Sequence, residues 1–397
     1  MFNAHIRNSG DVEEIMEISG VSPEGIELMG KKGRFNIIKL EGVPIKDAII
    51  LKQEALAVGG ECALHWGVLG LNVEKTDAVL MLTERQAEIL ANKMRYQPFH
   101  GKKIAEEIES AISMYKRRKY RFKAGKKELN LPLAVMGILN VTPDSFSDGG
   151  RYDKPDIAVK RAMEMVDQGA DIIDIGGESS RPGSERVSAQ EELDRVMPVI
   201  KGIRELSDIA ISVDTYKPEV AEKALNAGAD IINDIYGLRK EGMAEVVADH
   251  SAGAVIMHMQ GDPENMQDNP TYRDVIGDIM GFLRKQAEKA VEKGISERSI
   301  AIDPGIGFGK TVEHNLSIIR ELDSFLSLGY PVLIGASRKS FIGKTLNLPV
   351  EERMEASIAV AAISVMKGAS IIRAHDVKET LRAVRIAEAV LGATQGT

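Results

Sequence analysis

The chain has 397 residues, of which 44% are hydrophobic, so it is long enough for two or three globular domains. Its net charge of −8 lies mainly after residue 130, and an acidic body does not favour nucleic-acid binding. It has no run of about 18 apolar residues and no signal-peptide pattern, so we expect no membrane span. Cys62 is the single cysteine, which excludes an internal disulfide and favours a cytoplasmic location, and we expect it in the core.

Residues 1–115 predict a small α/β domain. The expected strands are 35–40, 62–68 and 77–82, and the expected helices are 44–57, 84–95 and about 101–115. Thr83 is the expected N-cap of the second helix. His65-Trp66 is the most unusual pair, although a buried strand end explains it as well as a ligand site does. No set of residues here suggests chemistry, and our hypothesis is that the domain packs against the next one or helps dimerisation.

A basic stretch, residues 116–127, follows the last of these helices. It fits either a nucleic-acid patch or a solvated linker and hairpin. We favour the hairpin because short strand-like runs flank Ala124-Gly125. The domain boundary is therefore placed here, and the second domain is predicted to span 116–397.

An apolar strand pattern recurs eight times in the second domain. The candidate strands are 134–141, 171–177, 209–214, 230–235, 254–259, 299–303, 331–336 and 370–374. Amphipathic helical stretches separate most of them, and Gly169, Gly228 and Gly368 each precede a β-branched run. This order is typical of parallel βα units. Eight such units predict a closed (β/α)8 TIM barrel, and an open doubly wound sheet is the alternative.

The first of these strands runs into an unusually polar loop. Asn140 ends the apolar run, Asp144 and Asp148 add negative charge, and Gly149 and Gly150 supply hinge freedom. Barrel enzymes carry catalytic groups on loops at the carboxyl ends of strands. We therefore interpret this loop as part of an active site rather than as an ordinary turn.

Polar side chains lie at or just after the end of every candidate strand. They are Asn140, Glu178, Asp214, Asn233 with Asp234, His258, Asp303, Ser337 with Arg338 and Lys339, and Arg373 with His375. Because the carboxyl ends of all barrel strands face one mouth, we expect these residues to form one site. Burying an ionisable group costs hydration free energy. Such groups on buried strands are therefore expected to be paired with another group or to take part in binding or catalysis.

Eight segments of the second domain form an ordered set of motifs. They are 136–150 (MGILNVTPDSFSDGG), 174–183 (DIGGESSRPG), 212–215 (SVDT), 232–234 (IND), 257–261 (MHMQG), 303–310 (DPGIGFGK), 335–343 (GASRKSFIG) and 373–377 (RAHDV). With these motifs the second domain resembles the dihydropteroate synthase family, whose catalytic barrel does not include residues 1–130. The resemblance implies the folate-pathway reaction of 7,8-dihydropterin-6-ylmethyl diphosphate with 4-aminobenzoate, which gives 7,8-dihydropteroate and diphosphate.

For the pterin, the resemblance implies a pocket at the strand ends. Asp214, Asn233 and Asp303 would accept from its donor edge, Lys339 would donate to its acceptors, and Met257 would complete the pocket. A flat ligand rich in donors needs such partners, because an unpaired buried donor costs about 1–3 kcal/mol. Taken singly, Asp214 or Asp303 could instead cap the helix that follows it.

For the diphosphate, the resemblance implies binding by Arg373, His375, Ser180 and Asn140. The period of two along a strand puts Arg373 and His375 on one face. Asn140 is also the implied ligand of Mg²⁺, the expected cofactor. This ion commonly takes its other oxygens from water and phosphate.

The resemblance also implies a dissociative displacement at the pterin methylene. Asp148 would meet the developing positive charge, and Lys339 and Arg181 complete the implied catalytic set. The implied 4-aminobenzoate pocket contains Phe146, Arg181, Pro182, Phe308, Lys339 and Ser340. Ser340 precedes an apparent helix start at Phe341, and a helix N-terminus suits a carboxylate.

Some positions depart from family patterns or suggest other sites. Ser180 stands where the family usually has Thr, which keeps the hydroxyl, and Ala374 replaces a common β-branched residue, which concerns packing. Residues 304–311 resemble a P-loop, but Pro304 occupies the place of its first glycine. The histidines and the single cysteine lack zinc-ligand spacing.

Two other functions stay open, a corrinoid-type pterin-binding methyltransferase and a non-catalytic pterin-binding protein. The Ser-Arg-Pro-Gly and Ser-Arg-Lys-Ser runs favour the synthase over the methyltransferase, which expels no diphosphate. The motifs of the catalytic loops are intact, which argues against a protein that only binds pterin. The expected partners are the two small-molecule substrates and, by analogy with the family, a second copy of the chain.

Overall fold

The computed structural model describes residues 4–7, 12–131, 133–142, 154–179 and 186–393. The chain forms two compact units, whose main segments are Met1–Lys116 and Arg117–Gly392. The first is a small α/β unit and the second is an eight-stranded barrel, so the predicted fold class is confirmed. No helix within the described ranges is long and apolar enough to cross a membrane.

The first unit packs helices on a three-stranded antiparallel sheet with the strand order β1-β3-β2. Its elements are α1 (Val12–Ile18), α2 (Pro23–Gly33), β1 (Phe35–Pro44), α3 (Ile45–Ala57), β2 (Glu61–Leu64), β3 (Lys75–Thr83), α4 (Glu84–Met94) and α5 (Gly101–Tyr115). Alternate residues of β3 are buried, which is the pattern of a sheet that packs on one face. Leu80 and Leu82 of this strand share a core with Cys62, so the prediction for the cysteine is confirmed.

Local sequence explains the start of α4. The Thr83 hydroxyl accepts a hydrogen bond from the amide of Gln86, whose side chain accepts one from the amide of Thr83. This capping box satisfies two amides that the helix leaves without intrahelical partners. The predicted N-cap is therefore confirmed.

Two features of the first unit differ from the prediction. Helices α1 and α2 were not predicted, because α1 buries no residue and α2 buries only Gly30. Strand β2 ends at Leu64, and a 3₁₀ turn follows, in which His65 Nδ1 accepts from the Gly67 amide. Trp66 is 81% exposed, so the interpretation of His65-Trp66 as a buried strand end is wrong.

The second unit begins with a hairpin and continues with eight parallel strands. The hairpin is β4 (Tyr120–Ala124) and β5 (Lys127–Leu131). The parallel strands are β6 (Ala134–Asn140), β7 (Ile172–Gly176), β8 (Ala210–Asp214), β9 (Ile231–Asp234), β10 (Gly253–Met257), β11 (Ile300–Asp303), β12 (Leu333–Ile334) and β13 (Ile371–Ala374). The hairpin and all eight predicted strands are confirmed, although β12 is much shorter than predicted.

Helices follow or separate these strands. They are α6 (Lys154–Asp167), α7 (Ala189–Leu206), α8 (Pro218–Asn226), α9 (Met243–Asp249), α10 (Val275–Glu292), α11 (Val312–Arg320), α12 (Ser340–Leu346), α13 (Met354–Met366) and α14 (Val377–Ala393). Their apolar faces and the outward side chains of the strands form the larger core.

The sheet closes on itself. Its strands pair in the order β11-β10-β9-β8-β7-β6-β13-β12, and a parallel bridge between Ile302 and Val332 joins β11 to the segment before β12. The open sheet is therefore excluded. All carboxyl ends of the strands point to one mouth, as in other barrels of this kind.

The hairpin fills the opposite end of the barrel. Phe122 of β4 packs with inward-facing residues such as Met136, Ile172 and Val255 in a second core. Gly253, at the start of β10, makes room for the Phe122 ring, since a Cβ there would lie 2.8 Å from it. With its amino-terminal end filled, the barrel is open to ligands at the carboxyl end.

Candidate active site

The strand register brings the predicted polar residues to one rim. Asp214 lies opposite Asn233, and Met257 lies opposite Asp303. Gly176 of β7 lies opposite Asn140 of β6 on one side and opposite Asp214 of β8 on the other. The rim therefore collects side chains that are far apart in the chain.

Arg373 is the centre of the network at this rim. Its Nε donates to Asp174 Oδ2 at 2.6 Å, and its Nη2 donates to Asp214 Oδ2 at 2.8 Å. Asn233 Nδ2 also donates to Asp174 Oδ2, at 3.1 Å. Desolvation lowers the pKa of Arg373, but the charges of Asp174 and Asp214 outweigh it, so its pKa is raised. This guanidinium is charged and fixed in direction.

The carboxylates of the network are strongly affected by burial. Asp174 is fully buried, and desolvation raises the pKa of Asp214 to about 7, against the opposing effect of Arg373. Asp174 Oδ1 and Ser212 Oγ have no hydrogen-bond partner within the described residues, and the two residues lie opposite each other on β7 and β8. Buried polar atoms are rarely unpaired in native proteins. These two atoms suit a polar ligand.

A glycine-rich loop follows β11. Asp303 Oδ1 accepts from the Gly305 amide at 2.7 Å, and burial raises the pKa of Asp303. Gly305 (φ +73°) lies against the His258 carbonyl, and Gly309 (φ +62°) lies against that of Gln260. A Cβ at either glycine would meet backbone, so only glycine allows this loop to approach the end of β10.

Lys339 lies between the glycine-rich loop and Asp303. Its Nζ donates to the carbonyl of Ile306 and lies 4.4 Å from the centroid of the Phe308 ring. Desolvation lowers the pKa of Lys339 to about 8, although Asp303 opposes the shift. The arrangement provides a donor beside an aromatic face.

A buried lysine that was not among the predicted site residues contacts the same loop. Lys310 Nζ lies 3.0 Å from His258 Nδ1 and 2.9 Å from the carbonyl oxygen of Phe308. Desolvation lowers the pKa of Lys310 to about 7 and that of His258 to about 2, so the imidazole is neutral and its Nδ1 accepts. The sequence signal for Lys310 was its position at the end of motif 303–310.

We expect Lys310→Met to remove a pH-dependent part of the stability. Lysine in an unfolded chain has a pKa of about 10.4, so between pH 7 and 10 the unfolded chain binds more protons than the folded one. Lys310 therefore makes the free energy of unfolding of the native protein rise with pH. Its contribution is at most about 1.4 kcal/mol per pH unit. Urea unfolding between pH 7 and 9 measures this slope. The exposed variant Lys289→Met should keep it, and a slope unchanged in Lys310→Met would contradict the prediction.

The remaining described residues of the predicted site lie on neighbouring loops. His375 Nδ1 is 3.0 Å from Ser337 Oγ. Ser340 is exposed at the first position of α12. Phe308 and Met257 are buried and belong to one small apolar cluster. This cluster supplies an apolar wall to an otherwise polar mouth.

Five predicted site residues lie outside the described residues. They are Phe146, Asp148, Ser180, Arg181 and Pro182. The loops that would carry the proposed charge stabilisation and part of the 4-aminobenzoate pocket are therefore not described, and their roles stay predictions.

Asp174 and an ionic cluster after β8 were not predicted from the sequence. Asp174 was detectable as a lone carboxylate inside an otherwise apolar run, residues 172–176. In the cluster, Lys217 donates to Glu178 and, at 2.5 Å, to Glu192, and the Tyr216 hydroxyl donates to Glu178 at 3.0 Å. Glu178, which was expected at the rim, is therefore neutralised by a lysine whose spacing in the chain gave no signal.

The mouth of the barrel combines buried carboxylates, an amide and cations that include Arg373 and Lys339, which suits a polar ligand that carries both hydrogen-bond donors and an anionic group. Comparison with known proteins agrees, because the family described as pterin binding enzyme matches residues 136–375. The dihydropteroate synthase of Clostridium beijerinckii is 48% identical over 273 residues, which cover 68% of this chain and 99% of that protein. The chain therefore belongs to the pterin-binding enzyme family, among the dihydropteroate synthases.

Two further comparisons extend this result. The structure of Xanthomonas albilineans dihydropteroate synthase with 4-aminobenzoic acid is 41% identical, with a TM-score of 0.66, and the match covers 69% of this chain and 98% of that one. A probable bifunctional folylpolyglutamate synthase/dihydropteroate synthase of Halobacterium salinarum is 41% identical over 382 residues, which are 96% of this chain and 46% of that protein. The first unit thus has a counterpart in that relative.

Proposed function

We propose that this protein condenses 7,8-dihydropterin-6-ylmethyl diphosphate with 4-aminobenzoate, which gives 7,8-dihydropteroate and diphosphate. The observation that carries the proposal is the Arg373 network, which joins carboxylates of β7 and β8 at the barrel mouth. It sets a fixed cation, suited to a departing diphosphate, beside acceptors suited to a pterin. No observation favours the methyltransferase or the non-catalytic binder.

The pterin is proposed to lie among the buried polar side chains. Asp214, Asn233 and Asp303 accept from its amino and ring N–H groups, and Lys339 donates to its acceptors, with Met257 against the ring. Because an unpaired buried polar group costs about 1–3 kcal/mol, this pocket discriminates against ligands that leave its groups unsatisfied.

The diphosphate is proposed to lie against Arg373 and His375, with Ser180 from the segment that follows β7. When the C–O bond to the pterin methylene breaks, the electron pair stays on the diphosphate. Fixed cations near the leaving group stabilise that charge, because the site need not reorganise during the reaction. The two carboxylates hold the Arg373 side chain in position for this.

Mg²⁺ belongs to the proposal as the cofactor, with Asn140 as its protein ligand. No group of three or more histidine, cysteine or carboxylate side chains within the described ranges could hold a metal. An amide oxygen at a strand end fits an ion that takes its other ligands from water and diphosphate. When bound, the ion would neutralise charge on the leaving group.

We expect Asn140→Ala to raise the Mg²⁺ concentration for half-maximal rate by about tenfold, since one of few protein oxygens is lost. The measurement is a Mg²⁺ titration of turnover after treatment with a chelator. Asn92→Ala, at an exposed position of the first unit, is the matched control. If both variants need the same Mg²⁺ as the native protein, Asn140 is not the ligand.

The attack by 4-aminobenzoate completes the proposed reaction. As the C–O bond loosens, Asp148 stabilises the positive charge on the methylene. The amine nitrogen forms the C–N bond and then releases a proton to the solvent. The proposed pocket for this substrate contains Phe146, Arg181, Pro182, Phe308, Lys339 and Ser340. Lys339 and Arg181 provide the positive charge that a benzoate carboxylate needs.

The test is to incubate the pure protein with the pterin diphosphate, 4-aminobenzoate and Mg²⁺. We expect 7,8-dihydropteroate and diphosphate in equal amounts. Neither a methyltransferase nor a binding protein would release diphosphate, so its absence would overturn the proposal.

A homodimer and a cytoplasmic location are further parts of the proposal. The resemblance to the family supports the homodimer, and the single cysteine favours the cytoplasmic location. Light scattering of the purified chain tests the first, and fractionation of the source cells tests the second.

A further inference from the structure

The backbone of Arg338 adopts an unusual conformation. Its φ is +56°, in the left-handed region that non-glycine residues rarely occupy. Such a conformation persists only when the surrounding structure holds it, and it is common near functional sites. Arg338 immediately precedes Lys339 and Ser340, which belong to the proposed 4-aminobenzoate site.

The strand ladder does not fix the position of this segment. Strand β12 has two residues and pairs with β13 only through Leu333–Ile371 and Ile334–Ile372. Beyond these pairs, side chains connect the two loops. Arg338 Nε and Nη2 donate to the two carboxylate oxygens of Asp376, at 3.1 and 2.7 Å. A bidentate pair of this kind fixes orientation as well as distance.

A second connection runs beside the first. The Ser337 hydroxyl lies 3.0 Å from His375 Nδ1 and accepts from the His375 amide at 3.3 Å. Consecutive residues of one loop therefore bond to consecutive residues of the other. One loop carries the proposed diphosphate residue His375, and the other carries the proposed 4-aminobenzoate residues.

The backbone of Arg338 is held as firmly as its side chain. Its amide donates to Ser357 Oγ at 2.8 Å, and its carbonyl accepts from Arg353 Nη1 at 3.2 Å. The Ser357 hydroxyl in turn donates to the Arg353 carbonyl at 2.6 Å. These bonds explain why the strained backbone persists. The Asp376 carboxylate occupies Nε and Nη2 of the Arg338 guanidinium, which directs the side chain towards the other loop.

We propose that Arg338 is a positioning residue, which through Asp376 holds Lys339 and Ser340 at a fixed distance from the diphosphate end of the site. The inference deepens the proposed function and rests on it. It assigns to the arginine of the Ser-Arg-Lys-Ser run a structural link between two substrate sites rather than a contact with either substrate.

The test compares Arg338→Ala and Asp376→Ala with the native protein. We expect KM for 4-aminobenzoate to rise and kcat to fall, each by about tenfold, a typical coupling for a bidentate pair. Binding of 6-hydroxymethyl-7,8-dihydropterin, measured by calorimetry, should stay within about threefold, because most of its proposed partners lie on other strands and only Lys339 lies beside Arg338. Inhibition by inorganic diphosphate should also stay within that range.

A double-mutant cycle and two further variants sharpen the test. Arg338→Ala/Asp376→Ala should be no worse than either single variant, and Arg338→Lys should recover part of the loss. Arg320→Ala removes an exposed ion pair with Glu321 and should change nothing. The inference is overturned if Arg338→Ala has native kinetics. It is also overturned if the pterin affinity and the melting temperature fall together with the rate. Weakened diphosphate inhibition would assign direct contact instead. If the native protein forms no product, the proposed function itself fails.

Discussion

Asp214→Asn should reduce the affinity for the pterin by about 100-fold or more. The substitution keeps the shape but replaces an acceptor-only carboxylate, and hydrogen bonds to a charged group are worth about 1.5–3 kcal/mol each. The new amide also presents N–H groups to Arg373 or to the donor edge of the pterin, where an acceptor is needed. Two interactions are thus lost by one change at the centre of the pocket.

Calorimetry with 6-hydroxymethyl-7,8-dihydropterin measures this loss. Asp234→Asn is the matched control, because Asp234 is a buried carboxylate on β9 that accepts from the amides of Tyr236 and Leu238. It should lower stability and leave the pterin affinity nearly unchanged. An equal loss of affinity in both variants would remove Asp214 from the pocket.

The pH dependence provides an independent signature of the same group. Burial raises the pKa of Asp214 to about 7, so its carboxyl is increasingly protonated below neutrality. A protonated carboxyl accepts less well, and pterin affinity of the native protein should therefore fall as the pH drops through about 7. Asp214→Asn should lack this step.

The barrel was predictable because its signals are local. Each strand needs a β-branched run that is buried on both faces, and Gly169, Gly228 and Gly368 end the preceding helices with positive φ. The polar residue at each strand end was equally visible. Since all parallel strands share one direction, the rim of the site followed from topology alone.

The pairing at the rim was not predictable, because it depends on which side chains face inward and meet. Arg373 and Asp174 are 199 positions apart, and Asp174 lies within an apolar strand rather than at its end. The left-handed Arg338 gave no signal either, since tertiary hydrogen bonds impose its conformation. In the first unit, α1 was missed because it buries nothing that periodicity could reveal.

Arg373→Ala should both destabilise the barrel and reduce turnover by at least about 100-fold. Removing one partner of a buried ion pair typically costs about 3–5 kcal/mol, because the other charge stays buried without compensation. Here two carboxylates lose their shared cation, and Asp174 is fully buried. Turnover falls because a fixed charge near a departing group is worth about 10²–10³ in kcat.

The two effects can be separated with a second substitution. Arg373→Ala/Asp174→Asn removes the more deeply buried of the two uncompensated carboxylates, so it should recover part of the free energy of unfolding measured in urea, while turnover stays low. Arg373→Lys should keep more stability than Arg373→Ala but little activity, since an ammonium cannot reach both carboxylates with fixed geometry. If stability returned together with activity in the double variant, Arg373 would act only in folding. If Arg373→Ala kept native turnover, the leaving-group role would be wrong.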